Sequence, residues 1–175
     1  MYFSRFESVI EELFDTSKKL RWQVPPDEFS DYNASFKAPN GNRYNINLTP
    51  TQWSSIDEVD MLQGFKGSDR EFDKIFAMHH GDGLPGSYVI SFSEESDRET
   101  RYDITGEGGA SSVYGIVING LSDLLNNRPH IKCLLFLGIE PSRRSLYSRL
   151  APMVARKSGF KFYASRDKKY FYLLR

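Results

Sequence analysis

A chain of 175 residues with 39% hydrophobic and 14% aromatic side chains is long enough for one domain with a real core, and too apolar for a disordered polymer. Its one cysteine, Cys133, excludes an internal disulfide framework and a cysteine-based zinc site. Formal charge is zero, but the first 100 residues carry 10 Lys/Arg against 18 Asp/Glu, net −8, and residues 101–175 carry 13 against 5, net +8. The two halves either neutralise each other within one domain or offer opposite faces to an assembly or to a nucleic acid.

The opening MYFSRFESVIEELF lacks the basic end and continuous apolar core of a signal peptide, and no stretch approaches the roughly 18 uncharged apolar residues of a membrane span. The expectation is a soluble protein of a reducing compartment. In residues 6–19, Phe6, Val9, Ile10, Leu13 and Phe14 recur at helical spacing, and Lys18 and Lys19 suit the C-terminal end. LRWQV then alternates and stops at Pro25-Pro26, a strand and a break. Residues 31–50 hold two alternating runs about Pro39-Asn40-Gly41, which predicts a hairpin. Residues 51–75 scatter apolar groups among acids and read as loop with a short helix.

GSYVISFSEES and TRYDITG read as two strands. SSVYGIVINGLSDLLNN keeps Val113, Val117, Leu121, Leu124 and Leu125 on one helical face, with Ser111 or Ser112 as the cap. Gly115 and Gly120 weaken that helix. IKCLLFLGIE is nearly all apolar, a strand covered on both faces, in which Cys133 is a buried, inert thiol. PSRRSLYSRLAPMVARKSG opens with proline at an allowed first-turn position and closes on Gly159, a helix that Pro152 should kink. Its buried stripe comprises Leu146, Tyr147, Leu150, Ala151, Met153 and Val154. FKFYAS and KKYFYLLR form a last hairpin. The order predicts a single α/β domain: a mixed sheet flanked by helices, with the IKCLLFLGIE strand central.

Two short motifs carry a resemblance. YDITGEGG, a strand followed by a glycine turn and a helix, and Leu146-Tyr147 followed by Gly159-Phe160 on the late helix are similar to features of the GNAT superfamily, the GCN5-related N-acyltransferases. The resemblance covers about half the chain and is topological more than sequential. It implies a GNAT-like, mainly antiparallel mixed sheet, with residues 86–175 as the core and residues 1–85 as an N-terminal helix, hairpin and irregular segment. It further implies an acetyl-CoA site on Gly106, Gly108, Gly109, Ser111 and Ser112, whose backbone amides would hold the pyrophosphate. Tyr147 would protonate the leaving thiolate, and Glu94 or Glu95 would take the amine's proton. The pairing of Y-x-I-T-G-x-G with E-P-S-R-x-x-L-Y also resembles small uncharacterised proteins of tailed bacteriophages, which implies the cytoplasm or a virion as the setting.

The departures weigh against catalysis. Asp103 stands where the family pattern has Arg or Gln, Glu107 lies inside the turn, and Glu140 stands seven residues before Tyr147, where asparagine is common. About two extra helical turns separate Tyr147 from Gly159. A diphosphate would meet two carboxylates, each repelling it by roughly 1 kcal/mol at ~5 Å in water and more in a partly dry cleft. The helix N-terminus still favours an anion. The leading expectation is therefore a non-catalytic structural or interaction module with no cofactor, docking through opposite charges or self-associating. An acyltransferase using acetyl-CoA is the alternative.

Other clusters offer weaker leads. Arg143 falls in the middle of the buried stripe, in a helix's first turn where a cation is disfavoured. It and Arg144 could hold an anion or an acidic partner, or Arg143 could pair with Glu140 while its stem packs. His79 and His80 with Asp82 lack a third ligand at motif spacing, so no metal is expected. Tyr163, Tyr170, Phe171 and Tyr172 interleave with Lys161, Arg166, Lys168 and Lys169, which suits either nucleic-acid stacking or plain alternation.

Overall fold

In the computed structural model the described residues are 20–27, 30–39, 41–51, 86–95, 100–101, 110–165 and 167–175, with backbone alone at 100, 101, 110 and 111. The expected helix at 6–19, the region 52–85 with His79, His80 and Asp82, and the turn holding Asp103, Gly106, Glu107, Gly108 and Gly109 lie outside them, as does Arg166.

The fold is α/β. The strands are β1 (Trp22–Gln23), β2 (Tyr32–Lys37), β3 (Arg43–Pro50), β4 (Ser87–Glu95), β5 (Thr100–Arg101), β6 (Cys133–Leu137), β7 (Lys161–Ala164) and β8 (Tyr170–Leu174), and the described helices are α1 (Ala110–Asn127) and α2 (Pro141–Ser158). All eight strands join one mixed sheet in the order β1-β2-β3-β4-β6-β8-β7, with β5 paired to β4 off that path. Only β4 and β6 pair in parallel, from Ser87↔Cys133 to Ile90↔Phe136; every other pair is antiparallel.

Strand alternation builds the main core. Tyr32 and Ala34 on β2, Tyr44, Ile46 and Leu48 on β3, and Tyr88, Ile90 and Phe92 on β4 share parity across the register and are all buried. Leu134, Phe136, Phe171 and Leu173 continue that face, and the apolar stripes of α1 and α2 close over it. Residues of opposite parity on β6 and β8, Cys133, Leu135 and Tyr172, form a second buried cluster on the other side of the sheet. β6 is thus buried on both faces, as its unbroken apolar run requires.

The β2–β3 hairpin turns where Asn-Gly predicts: Gly41 takes φ +90° and donates its N–H to Ala38 O at 2.9 Å. α1 begins at Ala110, so Ser111 and Ser112 lie in its first turn and neither is the residue before it; the expected serine cap is corrected to that extent. Gly120 sits mid-helix for a tertiary reason. A Cβ there would fall 2.1 Å from Leu20 Cδ1, and the Trp22 indole donates to Gly120 O at 3.0 Å. α2 runs through Pro152 and ends on Gly159 at φ 71°, with Phe160 N–H bonded back to Ala155 O at 2.9 Å. Met153 is half-buried rather than part of the fully buried stripe.

Arg175 fixes the relative placement of the helices. Its guanidinium donates to Leu125 O near the end of α1 and to Ser158 O at the end of α2, both at 3.3 Å, and lies 4.4 Å over the Phe160 ring. A cation there suits the negative ends of both helix dipoles. Both helices therefore finish at one end of the sheet and begin at the other, where the parallel strands β4 and β6 stop.

Candidate functional site

The end of the sheet where α1 and α2 begin is where an open α/β fold receives ligands. Parallel pairing of β4 and β6 stops at Ile90↔Phe136, while β4 continues to Glu95. Beyond the stop, β5 lies against β4 at Glu94↔Arg101 and Glu95↔Thr100.

The adjacent carboxylates Glu94 and Glu95 point to opposite faces. Glu94 has the parity of Tyr88, Ile90 and Phe92 and is 7% exposed on the helix-bearing side. Asn42 Nδ2 donates to its Oε1 at 2.6 Å, and its Oε2 is buried with no hydrogen-bond partner among the described residues. A buried carboxylate held on one oxygen and bare on the other is costly, and such groups concentrate at functional sites. Glu95 is solvated and approaches Arg43 at 3.9 Å, with both side chains more than half exposed. Of the two, only Glu94 has the setting of a proton acceptor. Asn42, in the β2–β3 turn, is the residue that sequence reading missed.

Tyr147 is buried under α2, edge-on to Phe136 at 5.3 Å between ring centroids. Burial pushes its phenol up to about 12; the nearby Arg143 pulls it down and Glu140 pushes it up. Tyr147 packs on the helix-bearing face of the sheet, the face to which Glu94 belongs by parity. Phe136 is level with Ile90, and Glu94 lies four residues further on, about 13 Å along the strand.

The two arginines are engaged within their own helix start. Arg143 Nε stands 3.3 Å from Glu140 Oε2, the i,i+3 pair that the spacing allows, with its side chain 22% exposed. Arg144 donates to Gly138 O at 3.3 Å and Ile139 O at 3.2 Å, bracing the turn between β6 and α2. The turn is tight at Gly138: a Cβ there would lie 3.0 Å from Arg144 Cα and from Phe171 Cε2.

Of the residues that the resemblance implies for a cofactor, Ser111 and Ser112 are among the described ones. They belong to the first turn of α1, whose leading N–H groups have no intrahelical acceptor, and the Ser112 side chain is half-buried. No group of three potential metal ligands occurs among the described residues. Nor is any described helix long and apolar enough to cross a membrane. In the last hairpin Phe171 and Tyr172 are each 1% exposed, on opposite faces, which removes both from any stack with nucleic-acid bases. Tyr163 and Tyr170 are half-buried against the second cluster, and Lys169 pairs with Asp167 at 3.4 Å.

No protein-family model, curated protein or solved structure matches this chain.

Proposed function

We propose that this chain is a non-catalytic module of GNAT-like arrangement that works through its surfaces, as a structural or interaction component, with a tailed-phage particle or the phage-infected cytoplasm as its setting. The order from β4 onward, two strands, helix, strand, helix, hairpin, is the order on which that resemblance rests and supports the reading. The observation that carries the non-catalytic reading is the state of Tyr147. The phenol in the acid's place is 2% exposed and held at about 12. Proton transfer from it to a departing thiolate of ordinary basicity runs uphill by about 5 kcal/mol. Asp103 and Glu107 add repulsion toward a diphosphate.

Thermal melts with acetyl-CoA test this. The melting temperature stays fixed up to millimolar ligand; stabilisation by about 2.7 kcal/mol at a hundredfold excess over a dissociation constant would overturn the reading.

A second reading, an acyl-CoA-dependent N-acyltransferase, is favoured by Glu94. Asn42 holds its Oε1 near the end of β4 and leaves Oε2 open, the arrangement of a base that could take an ammonium proton. Acetyl-CoA-induced stabilisation that coincides with loss of turnover in Glu94→Gln would establish it.

A further inference from the structure

The two edges of the sheet are built differently. β1, at one edge, is two residues long and gives way to Pro25-Pro26 after Val24, which leaves little for another strand to pair with. β7, at the other edge, runs Lys161, Phe162, Tyr163, Ala164, with two aromatic side chains and no proline.

Two hydrogen bonds fix which main-chain groups of β7 face outward. Ser165 N–H donates to Tyr170 O on the β7 side of β8, and Arg175 N–H donates to Lys132 O on its β6 side, both at 2.9 Å. Alternation along β8 then turns Tyr170, Tyr172 and Leu174 toward β7, and Phe171, Leu173 and Arg175 toward β6. Tyr163 and Lys161, opposite Tyr172 and Leu174, turn their main-chain groups to β8. The N–H and C=O of Phe162 and Ala164 therefore point away from the sheet, and no described strand lies beyond them. Ala164 is exposed and Phe162 half-buried.

The helix layer leaves this edge open. α1 lies toward β1, whose Trp22 reaches Gly120 O, and α2 lies over β6, β8 and β7. Arg149 and Lys157 are on the α1 side of α2: Arg149 acts on the Tyr114 phenol, and Lys157 Nζ donates to Asn119 Oδ1 at 2.7 Å. Helical spacing puts Ser148, Ala151 and Ala155 on the opposite flank, toward β7. Arg144, on that flank too, is turned back onto the carbonyls of Gly138 and Ile139. Two such flanks can face each other with small side chains between them.

A second copy laid antiparallel on β7 finds its complement in the same four residues. With Tyr163 of both copies on the two-fold axis, Phe162 of each stands opposite Ala164 of the other. Each such pair exchanges N–H···O=C bonds in both directions. The large Phe162 ring then lies beside the small Ala164 on the helix-bearing face, and the two Tyr163 rings meet on the other face. Lys161 of each copy falls opposite Ser165 of the other, so the two lysines do not meet. A four-residue edge is about 13 Å long, so the contact belongs at the small, reversible end of interface sizes.

We infer that two copies of this chain pair through their β7 edges, joining their sheets across a two-fold axis at Tyr163. The inference rests on the interaction-module reading and names its partner. Because each copy presents the same surface, the contact closes at a dimer.

Sedimentation velocity of the full chain from about 1 µM to about 1 mM tests it. The expected result is a reversible shift from monomer to dimer, little changed between about 0.02 M and about 0.5 M salt, because main-chain bonds and aromatic contacts hold it. Ala164→Pro removes an N–H that β8 does not use, so its melt at about 1 µM should match that of the unmodified chain while its dimer dissociation constant rises roughly tenfold or more. Ala164→Lys, which puts a cation on the edge, should weaken the dimer likewise and decides the matter if the proline variant fails to fold. Amide exchange reports the register: the N–H groups of Lys161 and Tyr163 should be protected at every concentration, those of Phe162 and Ala164 only in the dimer. A monomer over the whole range, a dimer that neither variant weakens, or a dimer in which the Phe162 and Ala164 amides still exchange would each overturn the inference. So would chains longer than a dimer, in which β7 meets β1 of the next copy. Those results leave the interaction-module reading standing, whereas stabilisation by acetyl-CoA would remove that reading itself.

Discussion

Replacing Gly86 by alanine puts a methyl carbon where the backbone leaves no room. Gly86 immediately precedes β4 at φ +80°, and a Cβ there would lie 2.0 Å from His130 O, 3.1 Å from His130 C and 3.2 Å from Lys132 N. The left-handed conformation alone costs alanine about 1–2 kcal/mol. Relief of the clash needs a backbone shift, because a carbonyl cannot rotate away as a side chain can, and that adds about 1–3 kcal/mol. The shift strains the bonds to Gly86 O from Lys132 N–H at 2.8 Å and Cys133 N–H at 3.2 Å, and that between Tyr32 Oη and His130 Nε2 at 2.9 Å, at about 1 kcal/mol for each one lost. With one of these bonds lost the sum is about 3–6 kcal/mol, or roughly 6–24 °C in melting temperature for a chain of this size. Gly41→Ala is the internal control: φ is +90° but nothing lies within 4 Å of the added carbon. It should cost only the conformational part, about 1–2 kcal/mol. Urea denaturation of the two variants side by side measures the difference. A Gly86→Ala penalty no larger than that of Gly41→Ala would refute the claim that this residue sets the approach of β4 to the loop entering β6.

Three further outcomes follow from named groups. Tyr147 is neutral in the folded protein up to about 12, against 10.0 when unperturbed, so the stability this contributes is complete below pH ~10 and is lost as pH rises toward 12. Over that window the unmodified protein should lose about 2–3 kcal/mol more than Tyr147→Phe, in which Tyr172 and Cys133 still titrate; equal losses would contradict the burial of Tyr147. Burial pushes the Cys133 thiol up to about 12, so a thiol reagent at pH 8 should leave the native protein untouched and react fully once denaturant is added; rapid native reaction would contradict its inertness. Arg175→Ala should cost about 1–2 kcal/mol in urea unfolding, discounted for the exposure of the side chain, and Arg175→Lys should recover less than half, because one ammonium cannot serve two helix ends and stack on Phe160.

Much of the local structure was legible because its causes are local. The hairpin at residues 31–50 follows from two alternating runs about Asn-Gly, and α2 from proline at its start and Gly159 at its end. What lies far apart in sequence was not legible. Gly120 looks like a flaw in α1 until Leu20 and Trp22 are found against it. The insertion of β8 between β6 and β7 has no short-range signal. In the candidate site, parity could have separated Glu94 from Glu95, since Glu94 keeps step with Tyr88, Ile90 and Phe92. Asn42 could not have been found that way, because its bond to Glu94 depends on the register of β3 with β4. The Arg143–Glu140 pair was foreseeable from i,i+3 spacing; the attachment of Arg144 to the carbonyls of its own turn was not.

On the proposed non-catalytic reading no acyl transfer takes place, and release of free CoA thiol from acetyl-CoA in the presence of amine acceptors measures this most directly. Release should run at the uncatalysed rate, the same for the unmodified chain, Glu94→Gln and Tyr147→Phe. Amine-dependent release that both substitutions abolish, with folding intact, would contradict it.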